Sequence, residues 1–102
     1  MTRLQRAYAK YNRIYFGNRL PRHLSVRFER GISEMGYFRH RGPKPICIRI
    51  NDCLRGWESA RDITLLHEMC HLATADEKAD HGPRWKRERR RLYRLSVFEP
   101  MI

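Results

Sequence analysis

Apolar side chains recur along the start of the chain at helical intervals, with Leu4, Ala7, Tyr8, Tyr11 and Tyr15 on one face. This spacing predicts an amphipathic helix over residues 2–16, closed by Gly17-Asn18 and Pro21. After Pro21 the pattern shortens to strand length. Segments 25–29, 35–39 and 45–51 read as strands, the last because Ile46, Ile48 and Ile50 alternate with Cys47, Arg49 and Asn51, while Gly31, Gly36 and Gly42-Pro43 supply the turns. A small, mainly antiparallel three-stranded sheet is expected. Ser59 and Asp62 resemble a capping box, and the stretch from Ala60 to about Ala75 contains neither glycine nor proline. Leu65, Leu66, Met69, Cys70, Leu72 and Ala73 make this second helix apolar around most of its circumference, as for a helix buried in a core. A polar loop follows at 76–80, and Gly82-Pro83 opens a third helix expected to run to about Ser96. The fold class is α+β.

Length and charge narrow the picture. The 102 residues suffice for one modest core, so a single domain over residues 1–102 is expected, with no zinc ribbon or accessory domain after the third helix. Cys47, Cys53 and Cys70 are odd in number and lack a framework spacing, which argues against a disulfide-stapled secreted module and for an intracellular protein, cytoplasmic or nucleoid-associated. No apolar run is long enough for a signal peptide or a membrane span. Twenty-two Lys and Arg stand against eleven Asp and Glu, a net charge of +11. Eighteen of the cations are arginine, the side chain best matched to phosphate, so a polyanionic partner is expected.

The chemistry is concentrated in the second helix, where His67-Glu68-Met69-Cys70-His71 is an H-E-x-x-H motif. Histidines four apart lie about 40° from each other on a helix, one turn apart in height, so both can reach one zinc ion. Glu68 lies beside that face and can take the proton of a water attacking a carbonyl polarised by the metal. Two histidines and a glutamate in an otherwise apolar helix are costly to bury without partners, a cost that a zinc ion removes. A catalytic site needs a third protein ligand, and His81 is the best candidate, since the polar loop lets the chain fold back. Glu88 is the alternative ligand, in the gluzincin manner; its other reading is an ion pair with an arginine or a contact that orients a ligand histidine. The metzincin spacing and its glycine are absent. Cys70 reads as a buried small hydrophobe, and Cys47 and Cys53 as packing or surface residues.

These residues carry a resemblance. Leu65-Leu66-His67-Glu68-Met69-Cys70-His71 followed by His81-Gly82-Pro83-Arg84-Trp85, together with the upstream run from Tyr11 to Pro21 (YNRIYFGNRLP), is similar to the patterns of the SprT-like family of zinc metallopeptidases. The resemblance implies zinc ligands at His67, His71 and His81, a catalytic glutamate at Glu68, and activity on proteins associated with or crosslinked to DNA. It also implies that an edge strand, expected around 45–51, lines a groove for an extended substrate.

On a helical wheel the third helix divides in two. Trp85, Glu88, Leu92 and Leu95 face inward, while Arg84, Lys86, Arg87, Arg90, Arg91 and Arg94 form a basic arc with almost no acid to neutralise it. This arc is the candidate nucleic-acid-binding surface, contacting phosphates without reading sequence. The expected protein is a monomeric zinc endopeptidase acting on nucleic-acid-bound proteins. The alternative, from a different class, is a non-catalytic zinc-containing nucleic-acid-binding module.

Overall fold

A computed structural model describes residues 1–78 and 81–95. Its elements in chain order are α1 (Arg3–Phe16), β1 (Ser25–Glu29), β2 (Gly36–Arg41), β3 (Lys44–Asn51), a short 3-10 turn (Asp52–Leu54), α2 (Glu58–Ala73) and α3 (Pro83–Arg94). The α+β class is as expected. The 96–102 segment, including the expected end of the third helix at Ser96, lies outside the described residues; α3 ends at Arg94.

In α1 every fourth residue is buried: Leu4, Tyr8, Asn12 and Phe16. Thr2 caps the helix through a reciprocal box with Gln5, satisfying backbone donors that the first turn leaves free. Gly17 ends it in the left-handed conformation at φ 56°, which costs a glycine little. The return of the chain is fixed by side chains. Asn12 donates from Nδ2 to the Leu20 carbonyl (3.0 Å) and accepts from the Leu20 N–H (3.1 Å), and the Tyr8 hydroxyl donates to the Pro21 carbonyl (2.6 Å). The buried Asn12 is thus paired on both functions, as a buried amide must be. Asn12, Gly17, Leu20 and Pro21 of the upstream motif therefore have a folding role, with Tyr8 one turn before it.

The sheet order is β1-β3-β2. Strand β3 pairs in parallel with β1, with Val26 beside Ile48, and antiparallel with β2, with Gly36 beside Ile50. The expectation of a mainly antiparallel sheet is therefore corrected to a mixed one, because β3 enters between its two predecessors. Strand 45–51, expected at an edge, is central. The successive residues Cys47 and Ile48 are each buried. An irregularity opposite Arg39 and His40 leaves Ile46 outside the pairing, and its side chain is exposed.

Helix α2 packs on β2 and β3, α1 on β1, and α3 on α2. Leu65, Leu66, Met69 and Cys70 of α2 meet Val26, Ile48 and Ile50 of the sheet in one buried cluster that also takes in Leu4, Phe16, Trp85 and Leu92. Each such side chain contributes about 1.5–3 kcal/mol by leaving water. The expected capping box does not form: α2 starts at Glu58, after Trp57, with no side-chain cap bond. Asp62 instead accepts from the Tyr11 hydroxyl (2.6 Å) and pairs with the buried Arg61 (2.8 Å), joining α1 to α2. No helix among the described residues is long and apolar enough to cross a membrane.

Candidate metal centre

Burying α2 leaves His67, Glu68 and His71 on the part of its surface that the sheet does not cover, and all three are half-buried. His81, where the described chain resumes before α3, lies beside them. The His71 and His81 ring centres are 5.0 Å apart, and Trp85 lies against both, at 5.0 Å from His71 and 4.2 Å from His81, with His67 at 6.1 Å. The indole is therefore the floor on which the three imidazoles gather. Its Nε1 is buried with no hydrogen-bond partner among the described residues.

The start of α3 is held from the loop. Glu77 accepts the N–H groups of Arg84 (2.8 Å) and Trp85 (3.1 Å) through its two carboxylate oxygens, placing an anion where the helix has free donors and a positive end. Gly82 makes room for this. A Cβ at that position would lie 2.6 Å from the Glu77 carboxyl carbon, so the glycine and proline after His81 serve to dock Trp85 and His81. A second close approach occurs on the sheet, where a Cβ on Gly36 would lie 2.8 Å from the Thr64 methyl and 3.0 Å from the Arg49 carbonyl oxygen. Strand β2 thereby runs tight against α2, one turn before Glu68.

Two clefts open on either side of the histidines. One, of about 290 Å³, runs along β2 between Gly36, Tyr37, Phe38 and His40 on one wall and Glu68, His71, Glu77 and His81 on the other. The second, of about 520 Å³, continues between Met35, Gly36 and Thr64 and the α3 residues Trp85, Lys86 and Arg89, again past His67, Glu68, His71 and His81. Because they share Gly36, Glu68, His71 and His81, they form one groove over the histidines. The wall of that groove is the free edge strand β2. This replaces the expectation that 45–51 would line it.

Among the described residues no group of three or more His, Cys, Asp or Glu is placed so as to hold a metal ion. The His71 and His81 rings stack at 26°, whereas ligation needs their nitrogens aimed at one point. The donor set nevertheless has zinc chemistry: three imidazoles from two segments beside one carboxylate and an open cleft. Two imidazoles on a tetrahedral ion would have centres about 5 Å apart, given metal–nitrogen distances of about 2.0–2.1 Å, and the His71–His81 separation matches. Burial lowers the pKa of His67 below its usual value, helped by the nearby charges of Arg89, His71 and His81. That favours the neutral imidazole, the form that ligates.

Glu88 sits elsewhere. It pairs with Arg91 (2.9 Å) and Arg19 (3.7 Å), so it takes the ion-pair reading and not that of a ligand. Cys70 and Cys47 are buried and Cys53 exposed. The basic arc is only partly brought together. Arg84 is tied to Asp76 (2.7 Å), while Arg91 is held by Glu88 with its guanidinium 5.3 Å from the Phe16 ring centre. Lys86 lines the histidine cleft. Arg87, Arg90 and Arg94 remain together, around Tyr93, on a separate shallow cleft. Leu95 does not face inward: it lies past the last turn of α3 and is 54% exposed. Sequence reasoning missed Arg89, although it stands four residues after Trp85 and so on the same helix face.

The family model for the SprT-like family matches residues 4–100, from the first buried leucine of α1 through the histidine cluster and α3. No curated protein matches the chain significantly. With the match spanning nearly the whole sequence, the chain belongs to the SprT-like family.

Proposed function

We propose that this chain is a zinc-dependent endopeptidase that hydrolyses proteins bound to nucleic acid, DNA in the first instance. The observation that carries the reading is the convergence of Glu68 and three histidines on one groove whose wall is a free strand edge. His67, His71 and His81 would hold the zinc ion, whose chemistry here is Lewis-acid polarisation of the scissile carbonyl and acidification of water. Glu68 takes the proton of the attacking water and hands it to the departing amine. An extended substrate segment laid along β2 gains backbone hydrogen bonds from its unpaired edge, which positions a peptide bond beside Glu68 without reading its sequence. Trp85 excludes water from the far side of the histidines.

The nucleic-acid part rests on charge. Arg87, Arg90 and Arg94 form no ion pair among the described residues, so the net charge of +11 has an unneutralised outlet on α3. Holding the enzyme on the polyanion that carries its protein target supplies proximity in place of sequence specificity. Each phosphate contacted contributes a log–log salt slope of about −0.9 on duplex DNA. Charge reversal of Arg87, Arg90 and Arg94 to glutamate is expected to flatten that slope and to abolish the stimulation of protein cleavage by DNA. Reversal of Arg84, already engaged by Asp76, should change the slope little. Equal slopes and equal stimulation in wild type and the triple variant would show that this face is merely solvated.

A further inference from the structure

The groove is electrostatically lopsided. Glu68 borders both of its clefts; on the β2 side the one further acidic residue among those lining it is Glu77, occupied by the N–H groups of α3. On its α3 side two cations, Lys86 and Arg89, border the histidines and Glu68. Neither cation forms an ion pair among the described residues. They are also separate from the outward cleft of Arg87, Arg90 and Arg94, so α3 presents two basic faces with different surroundings.

Arg89 is the better placed of the two. It is half-buried where Lys86 is exposed, and its guanidinium lies 5.3 Å from the Trp85 ring centre. Trp85 is itself 5% exposed and packed against three imidazoles. A guanidinium resting on so fixed a ring keeps its planar fork of donors while losing much of the freedom that binding would otherwise remove. A cation held in this way beside Glu68 suits a carboxylate arriving with the substrate, because charge-assisted, bidentate contact is the strongest recognition an arginine makes.

We propose that Arg89, assisted by Lys86, forms a substrate subsite that selects an acidic side chain, aspartate or glutamate, on the α3 side of the scissile peptide bond. This rests on the peptidase reading above and adds a specificity to it. A nucleic-acid phosphate is the less suitable occupant, since the subsite shares its cleft with the reacting groups, where the peptide must lie.

The test uses the zinc-loaded full chain and a set of peptides that differ only in carrying Glu, Gln or Lys beside the scissile bond, on either side of it. Wild type is expected to cleave the best-placed Glu peptide with a kcat/KM about five- to tenfold above that of its Lys counterpart, a partly screened charge contact. Arg89→Glu should invert the order, and Arg89→Gln should level it, which guards against a reversal that simply unfolds α3. Binding of the same peptides to Glu68→Gln should show the same order as their cleavage. Cleavage by wild type with no preference, or a preference unchanged in both Arg89 variants, overturns the subsite while leaving the peptidase reading standing. Failure to cleave any peptide or protein would sink that reading and the subsite with it. Competition by a short oligonucleotide for the Glu peptide, lost in Arg89→Gln, would reassign these cations to nucleic acid.

Discussion

Replacing Glu68 by glutamine is expected to lower peptide hydrolysis about 10²–10⁴-fold while leaving the zinc content unchanged. Glutamine keeps the shape of the side chain and its place in the groove but can no longer accept a proton. Because the three histidines stay intact, the loss should fall on kcat, with substrate binding along β2 little altered. Turnover of a DNA-bound protein substrate, measured beside the metal content of each preparation, checks this. It also separates the two classes weighed from sequence. A non-catalytic zinc-containing nucleic-acid-binding module would show the same negligible cleavage in wild type and variant.

The second large effect is on stability. Trp85→Ala should destabilise the fold by about 3–5 kcal/mol, a large share of the roughly 5–15 kcal/mol that holds a domain together. The indole is 5% exposed and lies at the meeting of α2, α3 and the loop that returns His81. Its loss opens a cavity under the imidazoles as well as removing buried area. Trp85→Phe should be much milder, below about 1.5 kcal/mol. It retains a ring for His71 and His81 to pack on and removes a buried N–H that has no partner among the described residues, a group that is costly to keep dry. Denaturant unfolding of the two variants gives both numbers, and a loss under 1 kcal/mol for the alanine variant would show that Trp85 is not the floor of the site.

How much of this was legible in the sequence depended on the range of the interaction concerned. Local periodicity was enough for α1, for the burial of α2 and for the pairing of His67 with His71, because positions four apart on a helix always share a face. An incomplete ligand set pointed to His81, and the fold brings its ring centre to 5.0 Å from that of His71. Strand order was not. Whether 45–51 lies at an edge or at the centre depends on where β1 returns, and the alternation of Ile46, Ile48 and Ile50 is compatible with either. The pairing of β3 with β1 on one side and β2 on the other was the missing datum. Ion pairing was equally opaque: in the run Arg87-Glu88-Arg89-Arg90-Arg91 a wheel separates faces but not partners. Only the fold shows Arg91 on Glu88, Arg84 on Asp76 and Arg89 over Trp85. The expected capping box failed for a similar reason, since Asp62 finds Tyr11, fifty-one residues away.

Equilibrium dialysis against zinc shows whether His67, His71 and His81 form one zinc centre. Wild type, Glu68→Gln and Glu88→Ala should each retain one ion per chain, since the proposed role of Glu68 is that of a base and Glu88 is engaged by arginines. His81→Ala should lose most of its zinc, because two helix histidines alone leave the ion without the third protein ligand that such sites use. Stoichiometric zinc in His81→Ala, together with its loss in Glu88→Ala, would remove His81 from the ligand set and put Glu88 in its place.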